Sequence, residues 1–527
     1  MDKLPQELLD RIVHYVGRRV GEESVSPWDH ASLPFALPII AAVSEKFQRA
    51  AERLTFNSLK VSTDPSDIDV FRRILTQRRR RYLRYLTVYL WVAHPASRPT
   101  RSDELRPFAT DEERSAIDEE NTIQLRELFN MIAEWPLSEP CLTLYVTGPE
   151  RIGKLGVASD QAYWTFRLLD ISSDLVDFPP LPVVKNLWVY NRGYHLHPHL
   201  ALCLAAKMPN VTHVDWDLSA FAYDSWAPYL YPYRLWRNGL VQSIDSISLP
   251  QSVETFRFKM YVPEIMQNQE PPDFTGPDPS PDPFSSALRK LTKDCTEIFI
   301  DGSIHPSLFD PPVISNIASN KGTAPAWEKA THLDVRANIL GADGQWLFQF
   351  PANNAPPDPP RPDPQTFDPE HLPPGYGTTE SELDETEEFY DEQSMYLAEV
   401  KADFQEDWAI ARDRINDTPM NKLLRAFARA CAPENTPALR TALLHSDYTN
   451  NDNWDFQVVC YGAGTEAPSD WDAQFAGGGR DTWRFFFHHY QSWTPEESTL
   501  EAFRQVGRER NGRDAILATL PWGTFYD

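Results

Sequence analysis

The chain has 527 residues, 41% of them hydrophobic and 12% aromatic, which is more length than a single core can fill and too much apolar mass for a disordered polymer. Its 76 acidic and 50 basic residues give a formal charge of -26, which argues against nucleic acid or an anionic membrane as partner, because phosphate binding needs clustered Lys and Arg. No apolar run approaches the ~20 residues that span a bilayer, and Met1–Pro5 opens an amphipathic pattern rather than a signal-peptide core, so a place in the cytosol or nucleus is expected.

At the amino terminus, Leu4-Pro5-Gln6-Glu7-Leu8-Leu9 leads into Ile12, Val13 and Val16 at three- and four-residue steps. Pro5 suits a first helical turn, where its missing N–H costs nothing, and Glu7 favours the positive end of the dipole. The apolar stripe is wider than a short helix leaves exposed, so a cover is expected. After Gly17 a loop containing Gly21, Pro27 and Pro34 reaches a second segment of helical period, Ala42 to Phe56.

These two segments resemble the F-box. The likeness rests on the Leu4-Pro5 opening, the Leu8-Leu9-x-x-Ile12-Val13 stripe, and Val43-Ser44-x-x-Phe47-Gln48 running on to Glu52 and Phe56. Many proteins of ascomycete fungi begin this way and continue into leucine-rich repeats. The resemblance implies a substrate adaptor of an SCF-type (cullin-RING) ubiquitin ligase, with Leu4, Pro5, Leu8, Leu9, Ile12 and Val13 as the surface for the ligase's linker subunit. The connection from Val20 to Pro34 is longer than is usual in that family, and Phe47 stands where Trp is frequent.

Next in the chain comes Arg78–Arg81, a basic run at the end of a helical segment near Phe71–Thr76. A nuclear import signal and a helix-dipole role both stay open for it. Behind it a unit recurs: a helical stretch, then a strand with alternate apolar residues. The strand cores are Leu86 and Val88; Leu144 and Val146; Leu187 and Val189; Val214 and Trp216; Phe256 and Phe258; Ile298 and Ile300; Leu333 and Val335; Ala442 and Leu444. Helices are expected over Leu125–Trp135, Leu200–Lys207, Phe284–Leu291 and Met420–Cys431. A unit of this kind cannot cover its own apolar face, so neighbours must stack into a solenoid with a parallel sheet inside. The spacing is uneven and no strict ladder position is evident, so a doubly wound α/β domain is the alternative.

The fold class expected is α/β, in four parts. Residues 1–60 form a small all-α F-box helical domain, and 61–350 an irregular leucine-rich-repeat-like solenoid with parallel strands and a disordered insertion at about 266–283. An acidic Pro-rich disordered insertion covers 351–391, since Pro denies hydrogen bonds and like charges repel. The last part, 392–527, holds one long helix over Glu392–Asn416, the last repeats, a buried strand at Trp483–Tyr490 and a closing helix at Glu497–Arg510.

Chemistry-bearing motifs are scarce. The sequence has no GxGxxG after a strand, P-loop, GxSxG elbow or HExxH. Gly477-Gly478-Gly479-Arg480 lacks the Lys-Ser/Thr ending of a phosphate loop. His195-Leu196-His197-Pro198-His199 puts alternate imidazoles on one side of an extended segment, but no further ligand lies near. Cys141, Cys203, Cys295, Cys431 and Cys460 show no CxxC spacing and are expected to be reduced. No catalytic residue, metal site or cofactor is assigned.

The residues between the buried strand positions would face the open side of the sheet. They mix aromatic and charged types, unlike a solvated face, and Trp, Tyr and Arg are the usual anchors of protein interfaces. Trp188 and Tyr190, with Asp215, Asp217, Arg257 and Lys259, are the expected surface for a target protein, and a shift of one residue would exchange the two faces. A repeat-based interaction scaffold outside any ligase is the second functional reading.

Overall fold

The computed structural model describes residues 5–17, 36–90, 111–135, 141–148, 168–169, 177–191, 195–219, 230–260, 273–275, 281–309, 325–349, 414–446, 456–467, 479–489 and 493–520. Three helices come first: α1 (Gln6–Gly17), α2 (Ala36–Ala41) and α3 (Glu45–Thr55). α3 starts where Ser44 is extended and its hydroxyl accepts the Phe47 N–H at 3.4 Å, satisfying a donor that the helix itself leaves unpaired. Leu9 and Val13 of α1, Leu37 of α2, and Phe47, Ala50 and Ala51 of α3 close a small core of their own.

Strands follow, many of them separated by helices. The first half comprises β1 (Ser58–Ser62), α4 (Pro65–Ile74), α5 (Gln77–Arg80), β2 (Tyr85–Tyr89), α6 (Asp111–Ala133), β3 (Leu142–Thr147), β4 (Leu168–Leu169), β5 (Val184–Tyr190), β6 (His195–Leu196), α7 (Pro198–Ala206), β7 (His213–Asp217), α8 (Leu230–Ser246) and β8 (Thr255–Met260). The second comprises α9 (Pro283–Thr292), β9 (Glu297–Gly302), β10 (His332–Ala337), β11 (Phe348–Gln349), β12 (Arg414–Ile415), α10 (Asp417–Ala430), β13 (Thr441–Ser446), β14 (Phe456–Tyr461), β15 (Arg484–His489), α11 (Glu497–Asn511) and β16 (Ile516–Leu520).

Among the described residues, 12 strands form one sheet in the order β1-β2-β3-β5-β7-β8-β9-β10-β13-β14-β15-β16, so position in the sheet follows position in the chain. Neighbours are parallel except at β14, which runs antiparallel to both β13 and β15. The protein is α/β with a large, mostly parallel sheet. A doubly wound sheet reverses its strand order at a switch point. This order never reverses, which removes that alternative.

Right-handed crossovers that all advance the same way lay their connections on one face of the sheet. Burial agrees. Leu86, Val88, Val214, Phe256, Ile298 and Leu333 are almost fully buried in one continuous core with Phe71, Phe129, Leu204, Leu288, Phe427 and Phe503 of the helices. The alternate residues of β5 to β10 keep partial exposure. Several helices begin on a polar residue followed by Pro: Asp64-Pro65, His197-Pro198 and Asp282-Pro283, where the first side chain accepts a backbone N–H and Pro fills the first turn.

The three-helix unit is tied to the sheet by Glu52 of α3, which is 4% exposed. Arg78 and Arg79 donate to it at 2.5 and 3.0 Å, and the Arg79 guanidinium lies 4.5 Å from the centre of the Phe56 ring. Arg79 and Arg80 also donate to the carbonyls of Ile74 and Leu75 at 2.8 and 3.2 Å, so the basic run closes the end of α4. Glu52→Ala is expected to lower stability by about 1–2 kcal/mol, because both arginines keep solvent access. A shift in the denaturant midpoint at unchanged slope measures it.

Several expectations need correction. The sheet begins at Ser58, so a boundary at residue 60 falls inside β1. The described residues of the stretch 266–283, expected to be disordered, include packed ones. Phe274 is 6% exposed and its N–H donates to the Ala342 carbonyl at 2.8 Å, and Asp282 is 1% exposed at the start of α9. The expected long helix over 392–416 does not reach its end: Arg414 and Ile415 form β12, paired antiparallel with β11, while most of that segment, like 351–391 and Gly477-Gly478, lies outside the described residues. α11 does not close the chain's sheet; β16 follows and adds a further parallel strand. β14 had no counterpart among the expected strands, and it makes the sheet mixed rather than parallel throughout.

Candidate functional site

Two surfaces gather the candidate residues. The first is the three-helix unit. Its α1 stripe is split by the packing: Leu9 and Val13 are fully buried against α2 and α3, whereas Leu8 and Ile12 are 44% and 43% exposed. Leu9 and Val13, expected to meet a partner, are therefore corrected to residues of the unit's own core. Pro5 is exposed and starts α1, its carbonyl accepting the Leu8 and Leu9 N–H groups at 3.1 and 3.3 Å. Leu4 lies outside the described residues. Ile39 of α2 and Val43 just after it are 72% and 60% exposed, so four large apolar side chains of this unit face solvent. Asp10 accepts from Gln6 at 2.9 Å and pairs with Arg53, fixing α1 on α3.

The second surface is the face of the sheet opposite the helices. Its register aligns residues in rows across the strands. One row runs Tyr145, Trp188, Asp215, Arg257, Phe299, Asp334, Leu443; the next runs Thr147, Tyr190, Asp217, Lys259, Asp301, Arg336, His445. All six expected target residues, Trp188, Tyr190, Asp215, Asp217, Arg257 and Lys259, therefore lie together on β5, β7 and β8, on the face the alternation implied. The open region is bounded. At β3 Tyr145 is 8% exposed, and at the far end Phe486 and Leu520 form a separate apolar cluster with Val459, Tyr461 and Ala518.

Within the rows, aromatic and charged groups are ordered. The Trp188 ring centre lies 5.4 Å from Tyr145, 5.8 Å from Tyr190 and 5.5 Å from His213. Arg257 sits 4.2 Å from the centre of the Phe299 ring, a cation–π contact. Asp217 and Lys259 approach to 3.7 Å, and Asp301 and Arg336 to 3.8 Å. Burial raises Asp215 to about 6, with Arg257 opposing and Asp217 adding; burial raises Asp334 to about 6, with Asp301 adding. Burial, then the nearby Arg336, lowers His445 to about 4, so it is neutral at physiological pH. Phe299, Asp301, Asp334 and Arg336 continue the surface beyond the six, as the same alternation implies. His445 and Leu443 went unread, although Ala442 and Leu444 already fixed their strand.

The histidine cluster resolves into structural contacts. His197 caps α7, its Nδ1 accepting the His199 N–H at 3.2 Å. His199 Nδ1 lies 2.5 Å from Ser243 Oγ of α8 and its Nε2 3.2 Å from Cys203 Sγ, which joins the two helices. Among the described residues no group of three His, Cys, Asp or Glu is placed to hold a metal ion, and no helix is long and apolar enough to cross a membrane. Compared with protein-family models and with curated proteins, the chain matches none.

Proposed function

We propose that the chain is the substrate-recognition adaptor of an SCF-type ubiquitin ligase, with an F-box-like helical unit for the linker subunit and a leucine-rich-repeat-like solenoid for a target protein. The single observation that carries this reading is the uncovered set Leu8, Ile12, Ile39 and Val43 on a unit that already has a closed core. A small helical unit gains nothing by exposing four large apolar side chains unless a partner covers them, each being worth about 1.5–3 kcal/mol on burial. The sheet's one-directional winding supports the solenoid part, since each unit packs on the next and leaves one face open. The adaptor itself performs no chemistry. It raises the effective concentration of the target's lysines at the ligase.

Co-purification with the ligase's linker subunit tests it. The intact chain is expected to retain the linker, and Leu8→Arg with Ile12→Arg to lose it at unchanged melting temperature, because both side chains are exposed. Failure of the intact chain to retain the linker overturns the reading. The second reading, a repeat scaffold whose helices only cap the β1 edge, is favoured by the Glu52 ion pairs that dock α3 beside the sheet. It predicts that failure.

A further inference from the structure

On the open face of the sheet two acidic groups lack a hydrogen-bonded or ion-paired partner, although Arg257 acts on both, and Lys259 and Arg336 on one each, from a distance; their meaning rests on the adaptor reading, which supplies a target to be bound. Asp215 of β7 and Asp334 of β10 are half-buried, yet among the described residues they accept no hydrogen bond and form no ion pair. The neighbouring cations are committed elsewhere. Arg257 stacks on Phe299, and Lys259 and Arg336 pair with Asp217 and Asp301 in the adjacent row. A carboxylate that has lost part of its hydration without gaining a partner costs stability. Burial raises both carboxyls to about 6, so the fold favours their neutral forms more than the unfolded chain does. The penalty grows as pH rises through the ordinary carboxylate range and is fully present at neutral pH.

A cation from outside would remove that penalty, and the surroundings fit one. Trp188 stands beside Asp215 in the register, an aromatic ring next to a negative charge, itself held among Tyr145, Tyr190 and His213. The two carboxylates share one row, three strand steps apart, which is about 14 Å at the usual spacing of strands. An extended chain rises about 3.3 Å per residue with side chains alternating, so residues i and i+4 point the same way about 13 Å apart, whereas i and i+3 point oppositely. We propose that the open face binds an extended basic segment of the target, laid across the strands, with one Lys or Arg on Asp215 against Trp188 and a second, four residues along, on Asp334.

Fluorescence anisotropy with the full chain and short labelled peptides tests this. One peptide carries Arg at i and i+4 in a Ser/Thr background, one carries the same two Arg at i and i+3, and one carries Glu at i and i+4. The i,i+4 Arg peptide is expected to bind at least tenfold more tightly than the i,i+3 peptide, and the Glu peptide not at all. Asp215→Asn and Asp334→Asn are each expected to weaken the first peptide at least tenfold while melting at or above the wild-type temperature. Equal binding of both Arg spacings would reveal mere attraction to an acidic protein and overturns the proposal. So do Asn variants that bind as the wild type does, or that melt lower, because the carboxylates would then serve the fold. No ligase subunit enters the measurement, so its failure leaves the linker co-purification standing, and the reverse holds too.

Discussion

Replacing Asp282 with alanine is expected to destabilise the protein by about 3–5 kcal/mol, the cost of stranding one member of a buried ion pair. Asp282 and Arg237 of α8 have side chains 1% and 3% exposed and meet at 2.6 Å. Arg237 also donates to the Ser303 carbonyl at 3.1 Å and lies 4.3 Å from the centre of the Phe284 ring, so it has no path to water once Asp282 is gone. The carboxylate has a second task as the cap of α9, accepting the Phe284 and Ser285 N–H groups at 3.3 and 3.0 Å and the Ser285 hydroxyl at 2.5 Å. Equilibrium denaturation of wild type and variant measures the loss. Asp282→Asn keeps the shape of the cap without the charge and should fall between them.

The same pair predicts a pH dependence of definite sign. Burial pushes the Asp282 carboxyl up, but Arg237 and the Ser285 hydrogen bonds outweigh it and hold the group below its ordinary value. A depressed carboxyl contributes stability that is fully present above the unfolded-state value, about 4, and is lost as pH falls through the folded-state value. Stability curves of wild type and Asp282→Ala should therefore converge on acidification below about pH 4 and stay parallel above it.

Phe503→Ala is expected to cost a further class of energy, about 3–5 kcal/mol for a large side chain removed from a core that cannot collapse around the void. Phe503 of α11 is fully buried, and its ring centre lies 4.8 Å from Phe485, 5.2 Å from Phe487 and 6.5 Å from Phe427. It thus joins α11, β15 and α10 at one point. Gly507, one turn further along α11, sits so close to the strand lead-in that an added Cβ would lie 2.2 Å from the Ala515 nitrogen. The helix therefore cannot move inward to fill the space. Loss of the near-ultraviolet signal of the carboxy-terminal strands ahead of the rest of the molecule is the readout.

The periodic part of this architecture was legible because burial on one face leaves a period of two in the strands. Val214 and Trp216, or Phe256 and Phe258, mark both the strand and its inward side. Other signals were present but overridden. Asp282-Pro283 is a helix start, yet it ends a Pro- and Asp-rich stretch, and composition suggested a mobile insertion. Phe456, Val458 and Cys460 alternate as clearly as any strand, but their antiparallel pairing is a property of how β13 and β15 sit, not of the residues themselves. In α1 the breadth of the stripe was visible, while its division into buried Leu9 and Val13 and exposed Leu8 and Ile12 depends on where α2 and α3 come to rest. Likewise the row holding Asp215 and Asp334 comes from alternation. That Arg257 turns to Phe299 and leaves them unpaired does not.

The in-order strand sequence has one more consequence, at the junction of β10 and β13. These strands are fully in register although the chain leaves the sheet between Ala337 and Thr441, and returns by way of the β11–β12 pair and α10. Elsewhere in the sheet successive strands are separated by much shorter stretches. Closing a loop of about a hundred residues instead of a few tens costs only about 1 kcal/mol more, because the entropy grows with the logarithm of length. The detour therefore weighs little on final stability but heavily on timing. The strands up to β10 are joined over shorter stretches, and so are β13 to β16, so the longest closure in the sheet is the meeting of these two blocks. Lengthening the chain between β11 and β12 would slow that meeting and leave the register of the finished sheet as it is.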